Sequence, residues 1–337
     1  MGSHRSVAPA SGFNRGAGAA LCALSAAAAA LGAVPAHAAP SGETRAEVDR
    51  LYTEAEQATE AFNQAGEKAG KLRREVSGAQ DAIARQQERI NAMRERLGAL
   101  AGAQYRAGGL DPSIALLFSD DPDEYLDKAA TLDRLTVHQA GQLRELQSAM
   151  RELSQDRAEA AGKLGELEKS RRAVATHKRT VERKLARARE LLNSLSPSER
   201  ADYDRVSRSG RDDMPFPGGQ ASSPRAAAAV AAARSALGRP YVWGASGPTG
   251  FDCSGLMQWS YGQAGVSLPR TSQAQAHAGR RVPLSQAQPG DIVTYRSDAS
   301  HVGMYVGNGQ VIHAPYPGAP VRYDPVGMMP VSSVTRP

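Results

Sequence analysis

The chain has 337 residues, of which 41% are hydrophobic but only 5% aromatic, and a formal net charge of +6. Its length exceeds one ordinary domain, and so few aromatic residues argue against a single large packed core. The charge is uneven: Arg225 to Pro337 holds nine Arg, four Asp and neither Lys nor Glu, an excess suited to anionic surroundings.

Arg5 and Arg15 precede an Ala-rich apolar run from Ala17 to Val34, followed by Ala36-His37-Ala38. This pattern predicts a secretory signal peptide over 1–38, cut after Ala38. The run is short for a membrane anchor. Cys22 lies inside it behind Leu21, whereas a lipid-attachment cysteine would follow a small residue and end the run. Export places the protein in the cell wall or beyond, and cleavage leaves Cys253 as the sole thiol. A lone thiol in an oxidising compartment invites a functional reading, against the plainer one of a buried free cysteine.

Over 39–196 the apolar residues recur three and four apart. One row runs Val48, Leu51, Ala55, Ala58, Phe62, Ala65, Ala69, Leu72, Val76, Ala79 and Ile83, broken at Gln86 and resumed at Ile90. Gly108-Gly109-Leu110-Asp111-Pro112 stops the helix. A second, weaker row includes Leu143, Met150, Leu153, Leu164, Leu167, Val181 and Leu185, with Arg157 and Arg171 in the same register. Two such helices predict an antiparallel coiled-coil hairpin with arms of roughly 90–110 Å. The apolar Ile114–Phe118 segment at its tip either packs between the arms or binds another protein.

Pro197 ends the second helix, and the polar, turn-rich stretch 197–223 reads as a linker containing an apolar Met214–Pro217 patch. Ser223 as N-cap and Pro224 at the first helical position then open a compact domain over 224–337.

In that domain, Cys253 opens an apolar helical run that Gly265 closes. First-turn N–H groups and the helix dipole there lower a thiol pKa. A thiolate nucleophile needs a base, usually His. His277 falls in a polar stretch, whereas His301 and His313 flank a hairpin signal around Gly307-Asn308-Gly309. A three-residue loop would pair Val306 with Gln310 and set His313 opposite Gly303, on the face that His301 shares. A regular two-residue turn would put the two imidazoles on opposite faces. The three-residue loop is therefore predicted, with Cys253 as nucleophile, His301 as base and His313 orienting it.

The segments Tyr241-Val242-Trp243-Gly244, Phe251-Asp252-Cys253-Ser254-Gly255-Leu256, Leu268-Pro269-Arg270-Thr271-Ser272, Pro289-Gly290-Asp291, His301-Val302-Gly303 and Ile312-His313-Ala314 together resemble the NlpC/P60 family of bacterial cell-wall peptidases. Ala245 departs from it, since the family often has a second Gly there. The resemblance implies an α+β papain-like fold, here preceded by an all-α antiparallel coiled-coil hairpin. It implies hydrolysis of peptidoglycan stem peptides, typically between γ-D-glutamyl and a diamino acid. By the same resemblance Tyr241 sits beside the thiol as an oxyanion donor, Asp252 and Ser254 shape the substrate subsite, and Arg270 holds structure. The hairpin resembles those of secreted division-associated hydrolases, where it docks to a membrane division complex and can cover the active site.

Two other classes stay open: a wall-binding adaptor, and an amidase or acyltransferase on another wall substrate. No HExxH motif, phosphate-cradling loop or nucleic-acid motif is present, so no cofactor, metal or nucleic acid is expected.

Overall fold

The computed structural model describes residues 41–106, 114, 122–208 and 220–337. The expected signal peptide, most of the apolar tip and the Met214–Pro217 patch lie outside them. No helix among the described residues is long and apolar enough to cross a membrane.

Helices α1 (Ser41–Arg106) and α2 (Pro122–Ser194) pack along each other. Val48 clusters with Val181 and Leu185, Leu72 with Leu167, and Ile90 with Leu153, so the pairing is antiparallel. At 66 residues α1 is about 100 Å long. The break at Gln86 is satisfied across the seam, its amide donating to Ala149 O at 3.3 Å and Glu152 Oε2 at 3.1 Å. Arg157 likewise turns to Gln87 Oε1 at 2.7 Å. The second row keeps its expected register at Leu153, Leu167, Val181 and Leu185, which are buried, but departs from it where Leu143, Met150 and Leu164 are exposed and Ala149 and Ser170 are buried instead.

The expected linker begins with a further helix, α3 (Pro197–Arg208). Ser196 and Glu199 form a capping box, Ser196 Oγ accepting from Glu199 N at 3.3 Å and Glu199 Oε2 from Ser196 N at 2.9 Å. Pro197 therefore ends α2 by starting a new helix. Tyr203 of α3 donates to Asp49 Oδ1 at 2.8 Å and joins the α1–α2 core.

Helix α4 (Pro224–Ser235) starts as expected, Ser223 Oγ accepting from Ala226 N. It packs beside α5 (Cys253–Gln263). The sheet is antiparallel in the order β1 (Arg280–Val282), β6 (Val331–Arg336), β2 (Ile292–Tyr295), β3 (His301–Gly307), β4 (Gln310–His313) and β5 (Arg322–Pro325). Helix α5 lies on β3, and Leu256, Met257, Val302, Met304 and Ile312 share one core.

The β3–β4 turn is not the three-residue loop expected. Asn308 and Gly309, both at positive φ, form a two-residue turn that pairs Gly307 with Gln310. Tyr305 nevertheless pairs with Val311 and Met304 with Ile312, so Val306 is an extra, bulged residue. The bulge shifts the register by one and returns His301 and His313 to a common face. Its driving force is burial: Val306 turns into the core that also holds Val302 and Met304.

Candidate active site

Asp252 caps α5, its Oδ1 accepting from Gly255 N at 2.7 Å, which makes Cys253 the first helical residue. Gly255 is required there, because a Cβ would lie 2.2 Å from Ala245 O in the loop laid over the helix start. Arg270 grips both Asp252 oxygens, at 2.9 and 2.5 Å, and donates to Ser254 Oγ at 2.9 Å. The Asp252 carboxylate is thus committed to the cap and to Arg270.

Across from Cys253, His301 Nε2 and His313 Nδ1 are 2.7 Å apart. The line continues to β5, where His313 Nε2 lies 2.7 Å from Asp324 Oδ2, which also accepts from Arg322 Nε at 2.7 Å. Burial lowers the His313 pKa to about 4, despite the Asp324 hydrogen bond that opposes it. Burial alone would raise Asp324, but the His313 hydrogen bond and the charges around it hold it low. A carboxylate only accepts, so neutral His313 donates through Nε2 and accepts at Nδ1, and His301 donates through Nε2. His301 Nδ1 is left facing the cysteine.

That position is taken by α1. Glu56 Oε1 lies 2.7 Å from His301 Nδ1, and Glu56 Oε2 accepts from Arg296 Nη1 at 2.7 Å. Burial would raise Glu56, but His301 and Arg296 outweigh it and keep the carboxylate ionised. His301 Nδ1 is thus engaged by Glu56 rather than open to the cysteine. One turn further, Glu60 accepts from Ser254 Oγ at 2.6 Å and from Ser272 N at 2.9 Å. The Cys253 thiol donates to Glu60 Oε1 at 3.7 Å. Burial first, then the nearby Asp252 charge, pushes Glu60 up to about 7. Asn63 donates to Asp252 Oδ2 at 3.2 Å, and the rings of Phe62 and Tyr52 cover those of Trp243 and Tyr316.

Glu56, Glu60 and Asn63 therefore form one face of α1 seated in the cleft. Cys253 is only 1% exposed. Its thiol is pushed well above the usual range, by burial and then by Glu60, Glu56 and Asp252. The thiolate expected from the helix start is thus not favoured here, because burial and three carboxylates outweigh the dipole. Tyr241 shares the Cys253 core, and burial with those same charges keeps its hydroxyl protonated, as a donor. Donor atoms of Glu56, Cys253 and His301 lie within 4.8 Å of one another, a set of metal-ligand types, although the Glu56–His301 hydrogen bond already satisfies two of them.

Sequence reasoning placed Cys253, His301, His313, Tyr241, Asp252 and Ser254 here and missed Asp324, Arg296 and the α1 carboxylates. Alternation along β5 would have put Asp324 on a common face with Arg322, which pairs with His313, had that strand been recognised.

A thiol at a helix start, facing imidazoles on an antiparallel sheet, is a papain-like arrangement. Residues 238–334 match the NlpC/P60 family, and the C-terminal part of this chain is an NlpC/P60 domain. A probable endopeptidase of Mycobacterium tuberculosis is 47% identical over 117 residues, 35% of this chain and 30% of that protein. One from Corynebacterium glutamicum is 52% identical over 109 residues, 32% of this chain and 52% of the relative. The match thus spans about a third to a half of these relatives. Among solved structures, the peptidoglycan hydrolase RipB of M. tuberculosis is 35% identical with a TM-score of 0.32, over 33% of this chain and 64% of that one.

Proposed function

We propose that the protein is a secreted cysteine endopeptidase that hydrolyses stem-peptide bonds of peptidoglycan, between γ-D-glutamyl and a diamino acid, and that its coiled coil holds it inactive until released. The single observation that carries the catalytic reading is the hydrogen-bonded line Asp324–His313–His301 ending beside Cys253 in an NlpC/P60 domain.

With α1 withdrawn, His301 loses its carboxylate partner and its Nδ1 becomes a base. It takes the Cys253 proton, and the sulfur attacks the scissile carbonyl carbon. The Cys253 backbone N–H and the Tyr241 hydroxyl are placed as donors to the oxyanion. His301 returns the proton to the leaving amine as the C–N bond breaks, leaving a thioester. Water, deprotonated by His301, then hydrolyses the thioester and restores the thiol. His313 and Asp324 fix the tautomer of His301 throughout. Ser254 and Asp252 border the acyl side of the cleft.

Autoinhibition is supported by Glu56 and Glu60, which occupy the base and the thiol together. Its physiological release would come from a partner at the far end of the hairpin, of the membrane division-complex kind. Purified wall treated with a Glu56→Ala/Glu60→Ala chain should release peptide fragments, identified by mass, and Cys253→Ala in that background should release none. Release undiminished by Cys253→Ala would exclude the cysteine mechanism.

A further inference from the structure

Arg296 sits at the end of β2, held at a positive φ of 62°, with its N–H donating to Pro330 O at 2.8 Å and its O accepting from Ala299 N. Its guanidinium donates through Nη1 to Ser300 Oγ at 3.1 Å and to Glu56 Oε2 at 2.7 Å. Its side chain is only 19% exposed, and among the described residues its ion-pair partner is Glu56 of α1. Asp298, two residues on, is turned to Ser300 N and Gln57 instead. In hydrogen-bond contact, the domain that carries Arg296 supplies it with a hydroxyl, and the carboxylate comes from Glu56 of α1. Its planar, forked guanidinium suits a carboxylate.

The other oxygen of the same Glu56 carboxylate meets His301 Nδ1 at 2.7 Å. One carboxylate thus bridges the proposed base and Arg296. In the proposed reaction the leaving amine must reach that same nitrogen, so the seat of Glu56 belongs to the leaving-group side of the cleft. We infer that Arg296 is a substrate-binding residue: once α1 withdraws, it pairs with a free carboxylate on the residue that leaves, and Glu56 inhibits by imitating that carboxylate. This rests on the hydrolase reading above. The carboxylate has two sources, the α-carboxylate of a terminal leaving residue or the side-chain carboxylate of an acidic diamino acid. The short span from His301 to Arg296 favours the first, and a set of substrates separates them.

The test uses the full chain carrying Glu56→Ala, which vacates Arg296, compared with Glu56→Ala/Arg296→Gln, so that both start from an equally loosened latch. The substrates are L-Ala-γ-D-Glu peptides ending in lysine, in lysine carboxamide, in diaminopimelate, or in diaminopimelate carboxamide blocked only at the α position. Glu56→Ala should favour a carboxylate-bearing peptide over its carboxamide by about tenfold or more in kcat/KM, as expected for a charge-assisted contact. Arg296→Gln should remove that preference while the carboxamide is still cut, and Arg296→Lys should restore part of it. Loss confined to the α-blocked peptides assigns the α-carboxylate, and loss that follows diaminopimelate assigns the side chain. Calorimetric binding of the same peptides to Glu56→Ala/Cys253→Ala reads the preference without turnover. Absence of cleavage with Arg296-dependent binding would count against the hydrolase and leave the subsite standing. Equal binding of carboxylate and carboxamide, or a preference unchanged by Arg296→Gln, overturns the subsite.

Discussion

Glu56 Oε1 lies 2.7 Å from His301 Nδ1, so a helix 245 residues upstream holds the nitrogen that the chemistry needs free. Breaking such a buried pair by removing one partner costs about 3–5 kcal/mol. Glu56→Ala should therefore weaken the closed state, raising peptide release by about a hundredfold or more until the open form predominates. Glu56→Gln should do less, since its amide still reaches Arg296 and His301. A wall-digestion assay on the full chain ranks the three, and no gain in either variant would remove Glu56 from the latch.

Glu60 gives the latch a pH dependence. Its pKa is raised to about 7 in the closed form, by burial and then by Asp252, from an ordinary value of 4.5. Protonated Glu60 is favoured in the cleft, so the closed state is most stable below about pH 4.5 and loses stability as pH rises towards 7. Glu56 is shifted downwards and acts below this window, whereas His313, lowered from 6.5 to about 4, overlaps it with the opposite sign, so the Glu60 variant assigns the dependence. Trp243 fluorescence, read in a Trp259→Phe chain, should report loosening across it because Phe62 packs edge-on against Trp243. Glu60→Gln should flatten the dependence, and an unaltered slope would assign it elsewhere.

Asp324 fixes the His313 tautomer, which in turn sets His301. In a chain freed by Glu56→Ala, Asp324→Ala should lower kcat by about a hundredfold with a much smaller change in KM. A loss that fell on KM instead would make Asp324 a substrate-binding residue rather than one that orients the base.

Gly303 faces His313 across the ribbon, and a Cβ there would stand 3.2 Å from His313 Cβ. Gly303→Val should push the His313 ring off His301, detectable as altered imidazole nitrogen shifts by NMR and as lost activity. Unchanged shifts would show that the strand absorbs the side chain.

Much of this site was legible in sequence because the signals were local. Ser223-Pro224, Asp252-Cys253 and Gly265 are cap and stop chemistry, read within a few residues. The heptad rows gave the hairpin by period alone. The hairpin turn was misread because Asn308-Gly309 obeyed its own turn preference, while the burial of Val306 supplied the missing residue as a bulge. Glu56 and Glu60 sit one turn apart on a helix whose other face is a seam, a pattern that reads as a solvated flank. Nothing within α1 marks that flank as facing a cleft some 200 residues away. Arg296 was invisible for the same reason, since its partner is Glu56.

Helix α1 seals Cys253, and the alkylation rate of this thiol by iodoacetamide in the folded chain reads that seal. The wild-type chain should react slowly at pH 7, and Glu56→Ala/Glu60→Ala should react at least about tenfold faster. Denatured controls should be equal. A wild-type thiol that already reacts at the rate of the double variant would contradict the seal.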